Sequence, residues 1–345
     1  MAITARLQRH IVLLLGAASL ACAPAPRSGD EVRITEESAI ILWDAGTRTQ
    51  HFIRRASFET KAKDFGFLVP TPSVPKLGEA SDAAFDLLER ITEPPRVAPA
   101  ESPKSEPPRV AAPAPQVVVI AREKVAGLDA AVLKANDAGA LDYWMKTNGY
   151  HSSPELAEWY KPYIAKNWII TAFKIDSDGP RVSTAAVRMS FETDQPFFPY
   201  REPAREPAGA AASGTRALNV YFVGDSKPEG RIGASGNWPG KVVWSGQLAG
   251  GDRETLMKLV GVPKLPAAAT RLTRFSDHSS PRAGSDDLYF SPAADQSELG
   301  KAPESGGNFL AMIVIAAGLV AMFILFLRWR RARSSTPRGP TSGRP

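Results

Sequence analysis

An apolar run at 38–44, turn residues at 45–48, strict alternation at 49–58 and a second apolar run at 64–69 open the chain. Period-two runs bounded by turn residues predict three strands of an antiparallel meander. Pro70, Pro72 and Pro75 end that ladder, because proline donates no hydrogen bond to it. Ala84, Phe85, Leu88 and Ile91 then recur at helical spacing and predict a helix over 81–91. After residue 116 the pattern predicts a strand at 116–120 and helices at 128–135, 139–147 and 154–164. Strands at 168–175 and 184–191 come next as a pair, then another at 217–223, a helix at 253–260, and late strands at 271–275 and 287–290. Strands and helices come in separate runs, so the expected class is α+β, mostly antiparallel sheet with packed helices. Tyr143, Trp144, Tyr150, Trp159, Tyr160, Tyr163 and Trp168 concentrate in one region, which reads as core, with a glycan or peptide platform as the alternative.

Three segments break the globular pattern. Residues 94–115 hold eight prolines and cannot continue a helix or a central strand, so they form an excursion from the fold. Arg6, Arg9 and His10 precede an eleven-residue apolar stretch at 11–21, the form of a secretory signal peptide over 1–21. Cleavage before Cys22 makes that residue a candidate lipid acceptor. At the far end, 309–327 is uninterrupted and apolar, about 28 Å as a helix, which spans a bilayer. Arg328, Arg330, Arg331 and Arg333 come directly after it and place the C-terminus in the cytoplasm. The expected organisation is a signal peptide at 1–21, an exported domain at 22–292 and a stalk at 293–308. A C-terminal transmembrane helix at 309–327 and a basic cytoplasmic tail at 328–345 complete it. A division into two domains at the proline-rich excursion is the alternative.

Composition changes this picture in one respect. The net charge of +6 suggests an anionic partner until it is divided along the chain. Two arginines precede the first apolar stretch and six come after residue 309, more than the whole surplus, so the exported part is slightly acidic. The basic residues sit where membrane insertion uses them, and nucleic acid is not an expected partner. One cysteine excludes an intrachain disulfide and a cysteine-based metal cage. His51, His151 and His278 have no second ligand at metal spacing, and no phosphate loop, nucleophile elbow or metalloprotease motif is present. Neither a metal nor a cofactor is expected.

The strand around His51 carries the remaining candidate chemistry. Alternation puts His51, Ile53 and Arg55 on one face, and Phe52, Arg54, Ala56 and Phe58 on the other. Arg54 thus lies among apolar side chains and needs a carboxylate partner, Asp64 first and Glu37 second. His51 and Arg55 are the candidate ligand-binding pair, lining a groove for an anionic group.

The segments Glu37-Ser-Ala-Ile-Ile-Leu-Trp-Asp44, His51-Phe-Ile-Arg-Arg-Ala-Ser-Phe58 and Asp64-Phe-Gly-Phe-Leu-Val-Pro-Thr-Pro72 resemble the bacterial domain-of-unknown-function family 2330. So do Tyr143-Trp144, Asn148-Gly-Tyr150, Arg188-Met-Ser-Phe191 and Phe198-Pro-Tyr-Arg201. The resemblance implies an exported, signal-bearing domain, often membrane-anchored, with no established activity or catalytic residues. The expected function is a membrane-tethered extracytoplasmic binding or envelope-organising protein, whose partners are the membrane and an envelope protein or glycan. An extracytoplasmic hydrolase, with a site assembled from dispersed residues around His51, is the alternative.

Overall fold

A computed structural model describes residues 23–26, 32–93, 117–203, 216–234, 236–279 and 286–300. The expected signal peptide, Cys22, the expected excursion at 94–115, the expected span at 309–327 and the expected basic tail lie outside these residues. Among the described residues no helix is long and apolar enough to cross a membrane.

The elements in chain order are β1 (Ala23–Pro26), β2 (Val32–Asp44), β3 (Thr49–Thr60), β4 (Asp64–Thr71), β5 (Lys76–Glu79), α1 (Ala83–Thr92), β6 (Val117–Val125) and β7 (Leu128–Ala135). Next come α2 (Ala138–Thr147), α3 (Pro154–Ala165), β8 (Ile169–Asp176), β9 (Arg181–Ser183), β10 (Val187–Glu192), β11 (Phe197–Phe198) and β12 (Ala217–Gly224). The last are β13 (Pro228–Ile232), β14 (Gly236–Asn237), β15 (Lys241–Gln247), α4 (Gly250–Leu259), β16 (Arg271–Asp277) and β17 (Leu288–Pro292). The class is α+β with predominantly antiparallel sheets. One five-stranded sheet runs β1-β4-β8-β7-β6, and an eight-stranded sheet contains β15-β16-β12-β2-β3-β10-β5 with β9 on the end of β3. A small sheet, β11-β17-β13-β14, adds Phe197, Ile232, Leu288 and Phe290 to the same core.

Strand alternation divides the apolar residues into three layers. Phe52, Ala56 and Phe58 of β3 face Phe65, Phe67 and Val69 of β4 and Phe173 of β8, forming the core between the two large sheets. The opposite face of the eight-stranded sheet, with Ile40, Leu42, Ile53 and Tyr221, is covered by Phe85 and Leu88 of α1 and Leu256 of α4. The opposite face of the five-stranded sheet, with Leu68, Leu133 and Ile170, is covered by α2 and α3. Helix α3 forms because Ser153 caps it, accepting from Leu156 N at 3.2 Å, and Pro154 suits its first turn. Its Leu156, Trp159, Tyr160, Tyr163 and Ile164 are all buried, as is Trp144 of α2, so the aromatic region is core except at Tyr143, which is 51% exposed.

Four expectations need correction. The first three strands are not a meander, because β4 leaves β2 and β3 after Ala62 and pairs with β8 in the other sheet. For the same reason β8 and β10 are not partners. Residues 128–135 form a strand, not a helix. Ala126 and Gly127, at φ 50° and 80°, make the two-residue turn that a hairpin requires, and Ala126 N donates to Glu79 Oε1 at 3.0 Å. Residues 293–300 were expected to begin a stalk but lie on the domain: Leu299 exchanges backbone hydrogen bonds with Ser245 on β15, and Lys227 Nζ reaches Asp295 Oδ2 at 3.0 Å. The compact unit ends at Gly300.

Candidate functional site

Alternation places Arg54 on the core face of β3, and the register of β2 against β3 sets Ala39 opposite it. Glu37 lies two residues along β2 on the same face, a diagonal cross-strand neighbour within reach of a long side chain. Arg54 Nε donates to Glu37 Oε1 at 2.6 Å. The parallel register of β12 with β2, Ala217 opposite Glu36, delivers the preceding Arg216 to the other oxygen, Glu37 Oε2, at 2.9 Å. Arg216 Nη1 then donates to Glu202 Oε1 at 2.5 Å. Arg54, Glu37, Arg216 and Glu202 are 8%, 0%, 6% and 6% exposed, so four charges of alternating sign run through the interior.

The expected ion pair of Arg54 with Asp64 is therefore replaced by its second choice, Glu37. Asp64 opens β4 in the other sheet, opposite Asp176, and has Lys174 Nζ at 3.7 Å. The guanidinium of Arg54 lies over the Phe67 ring, 4.0 Å from its centroid. Its Nη2 is buried and has no hydrogen-bond partner among the described residues. Beside it lies a recess of about 20 Å³ between the sheets, lined by Phe67, Phe173, Val187 and Met189. Leu128 and Thr184, the two half-buried residues of its lining, form its rim.

His51 and Arg55 do not form the expected groove. Arg55 stacks on Phe85 at 4.5 Å and its charge is matched from α1 by Asp86 at 3.7 Å and Glu89 at 3.4 Å. Ile53, between them on the same face, is buried under that helix. His51 faces Ser190 across β3 and β10, with Nδ1 and Oγ 2.8 Å apart. Burial, with the Arg188 charge beside it, lowers its pKa to about 4 against an opposing effect of Asp44, so the imidazole is neutral at pH 7. A neutral histidine on a serine is half of a nucleophilic pair. Among the described residues no carboxylate hydrogen-bonds the ring, and no group of three or more His, Cys, Asp or Glu is placed to hold a metal.

Residues 197–202 tie these elements together. Gln50 of β3 donates to Phe197 O and accepts from Phe197 N, both at 2.8 Å. Tyr200 donates to Asp277 at 2.8 Å, and Arg201 O accepts from Trp159 Nε1 at 2.7 Å. Asp277 also accepts from Trp238 and Ser279; burial alone would raise its pKa, but these bonds outweigh burial and hold it below the usual range. Asp287 behaves oppositely. It is fully buried, and burial pushes it up to about 7 although Tyr163 donates to it at 2.9 Å and Arg201 N at 3.2 Å.

The contrast between neighbours on β3 is measurable. Arg54→Ala removes one partner of a buried pair, which costs about 3 to 5 kcal/mol. Arg55 is a partly exposed pair worth about 1 kcal/mol or less. Thermal melting of the two variants should differ by several degrees; equal small shifts would mean that Arg54 is not a buried ion-pair partner, and a larger loss in Arg55→Ala would mean that the faces of β3 are reversed.

Sequence pattern alone does not reveal Arg216 and Glu202 as members of this site. Glu37 carries a usable signal, since it shares a strand face with Ala39 and Ile41, where a lone carboxylate demands a cation.

A solved structure of a mutated baculovirus P35 after caspase cleavage is similar at 8% identity, over 62% of this chain and 77% of that one, with a TM-score of 0.31. No curated protein matches the chain. The family described as "Uncharacterized protein conserved in bacteria (DUF2330)" matches residues 16–285. That span takes in β1 to β16 and both ends of the buried charge line, and the chain belongs to this family.

Proposed function

We propose that this chain is a membrane-tethered extracytoplasmic binding protein. Export rests on the signal-like segment at 1–21 and the tether on the apolar segment at 309–327. The observation that carries the binding reading is the unpaired Nη2 of Arg54 beside an apolar recess. A buried donor without a partner costs about 1 to 3 kcal/mol, and a complementary acceptor recovers that cost on binding. The other cation on β3, Arg55, is already matched by protein carboxylates.

The hydrolase reading has one observation in its favour, the contact between Ser190 and His51. A base oriented by no third group on a sheet face is a weak nucleophilic device. Two labels applied to the full-length chain in its native membranes separate the readings. A photo-reactive leucine analogue at position 128, no bulkier than the native rim residue, should form adducts in living cells. A fluorophosphonate should leave Ser190 unlabelled. Labelling of Ser190 that is lost in His51→Ala, with no adduct at position 128, would reverse the assignment.

A further inference from the structure

We infer that the recess beside Arg54 receives the carboxylate end of a short apolar monocarboxylic acid, an inference that rests on the binding reading above. Three observations converge on that chemistry. The donor is a guanidinium N–H, buried and unpaired, on a side chain only 8% exposed. A guanidinium matches a planar carboxylate better than any neutral acceptor. The charge line runs Arg54, Glu37, Arg216, Glu202, so an anion at the recess continues the alternation at its cationic end.

Size narrows the class. A cavity of about 20 Å³ holds little more than one or two water-sized groups. A carboxylate has three heavy atoms in a plane, whereas a phosphate or sulfonate head is tetrahedral and bulkier. The head fills the recess, so the attached tail leaves it past Leu128 and Thr184. Phe52, Phe67, Val69, Phe173, Ile175 and Met189 around the recess offer no second polar partner to the ligand. A chain of a few methylenes, with its acid group innermost and its tail at the rim, meets both conditions.

Hexanoate, 1-hexanol and hexane-1-sulfonate share a tail and differ only in the head, so they test the head directly. The measurement is binding to the full-length chain in lipid nanodiscs, by thermal shift and by saturation-transfer NMR. Hexanoate should raise the melting temperature saturably. Hexanol and hexanesulfonate should bind at least about tenfold more weakly, the factor carried by one hydrogen bond to a charged group. Arg54→Gln should lose the hexanoate response. Because that change also disturbs Glu37, Leu128→Trp provides a second variant that blocks the rim and leaves every ion pair in place. It should melt as the unliganded wild type does and no longer respond to hexanoate.

No response to hexanoate, an equal response to the sulfonate, or a response that survives Leu128→Trp would each overturn the proposal. Adducts at position 128 in cells, together with no response to hexanoate, would sink the carboxylate assignment alone. Absence of both would remove the binding reading with it.

Discussion

Glu37→Ala should be the most damaging single substitution in the domain, lowering the melting temperature by about 10 °C or more. Its carboxylate is fully buried and shared by Arg54 at 2.6 Å and Arg216 at 2.9 Å. Removing it leaves two guanidinium groups facing each other across the space it occupied. Breaking one buried pair costs about 3 to 5 kcal/mol. Each kcal/mol moves the melting point of a domain this large by about 2 to 4 °C. The cost lies in stranding charges, not in losing a favourable network. Arg54→Leu, Glu37→Leu, Arg216→Met and Glu202→Gln combined should therefore be far less harmful than Glu37→Ala alone, since apolar replacement of a buried network is often neutral or stabilising. Circular dichroism melts of both variants decide the matter, and a loss below about 1 kcal/mol in Glu37→Ala would contradict the burial of that carboxylate.

Asp287 should make stability fall as pH rises. Its folded pKa of about 7 lies well above the unfolded value near 4, so the native state binds the proton more tightly. The contribution is fully present below about pH 4 and is lost as pH rises through about 7. Three pKa units correspond to about 4 kcal/mol. Burial dominates, and Asp286 beside it acts in the same direction. The Tyr163 hydroxyl, Arg201 N and the Lys166 charge oppose it. Tyr289 is raised in turn, by burial first and then by the Asp287 and Asp286 charges. Asp287→Asn keeps an acceptor for Tyr163 and Arg201 N while removing the titration. Melted at pH 5 the variant should match the wild type, and at pH 8 it should be the more stable protein. A constant difference at both pH values would show that the carboxyl titrates normally.

Much of the secondary structure was legible because local rules and tertiary structure agree there. The faces of β3 obey strict alternation, and α3 has its cap, its proline and its apolar spacing in sequence. Strand β7 was not legible. Leu-Asp-Ala-Ala-Val-Leu-Lys-Ala is rich in helix formers, and only the hairpin with β6 and burial on both faces of the sheet override that propensity. The division of strands between two sheets was hidden for another reason. Both large sheets turn one face to the same core, so β3 and β4 show the same apolar content whether they are neighbours or opponents. The site was half visible. A buried Arg54 is implied by alternation, but its partner depends on the diagonal register of β2, and Arg216 arrives through a parallel pairing that spacing does not reveal.

That parallel pairing also governs the order in which the domain assembles. β2 finds β3 across a four-residue turn as soon as both exist, but its other edge is closed by β12, which comes after α1, α2, α3 and all of the five-stranded sheet. Until β12 arrives, a thirteen-residue strand holds open a row of backbone donors and acceptors at what becomes the middle of a sheet. Contacts this distant in sequence form slowly, and an unfinished edge recruits other strands meanwhile. The β2–β3 hairpin is thus at once the earliest piece of the structure and its longest-lived hazard. A substitution that delays β12 lengthens that exposure, while one of equal cost in β5, at the far border of the same sheet, does not.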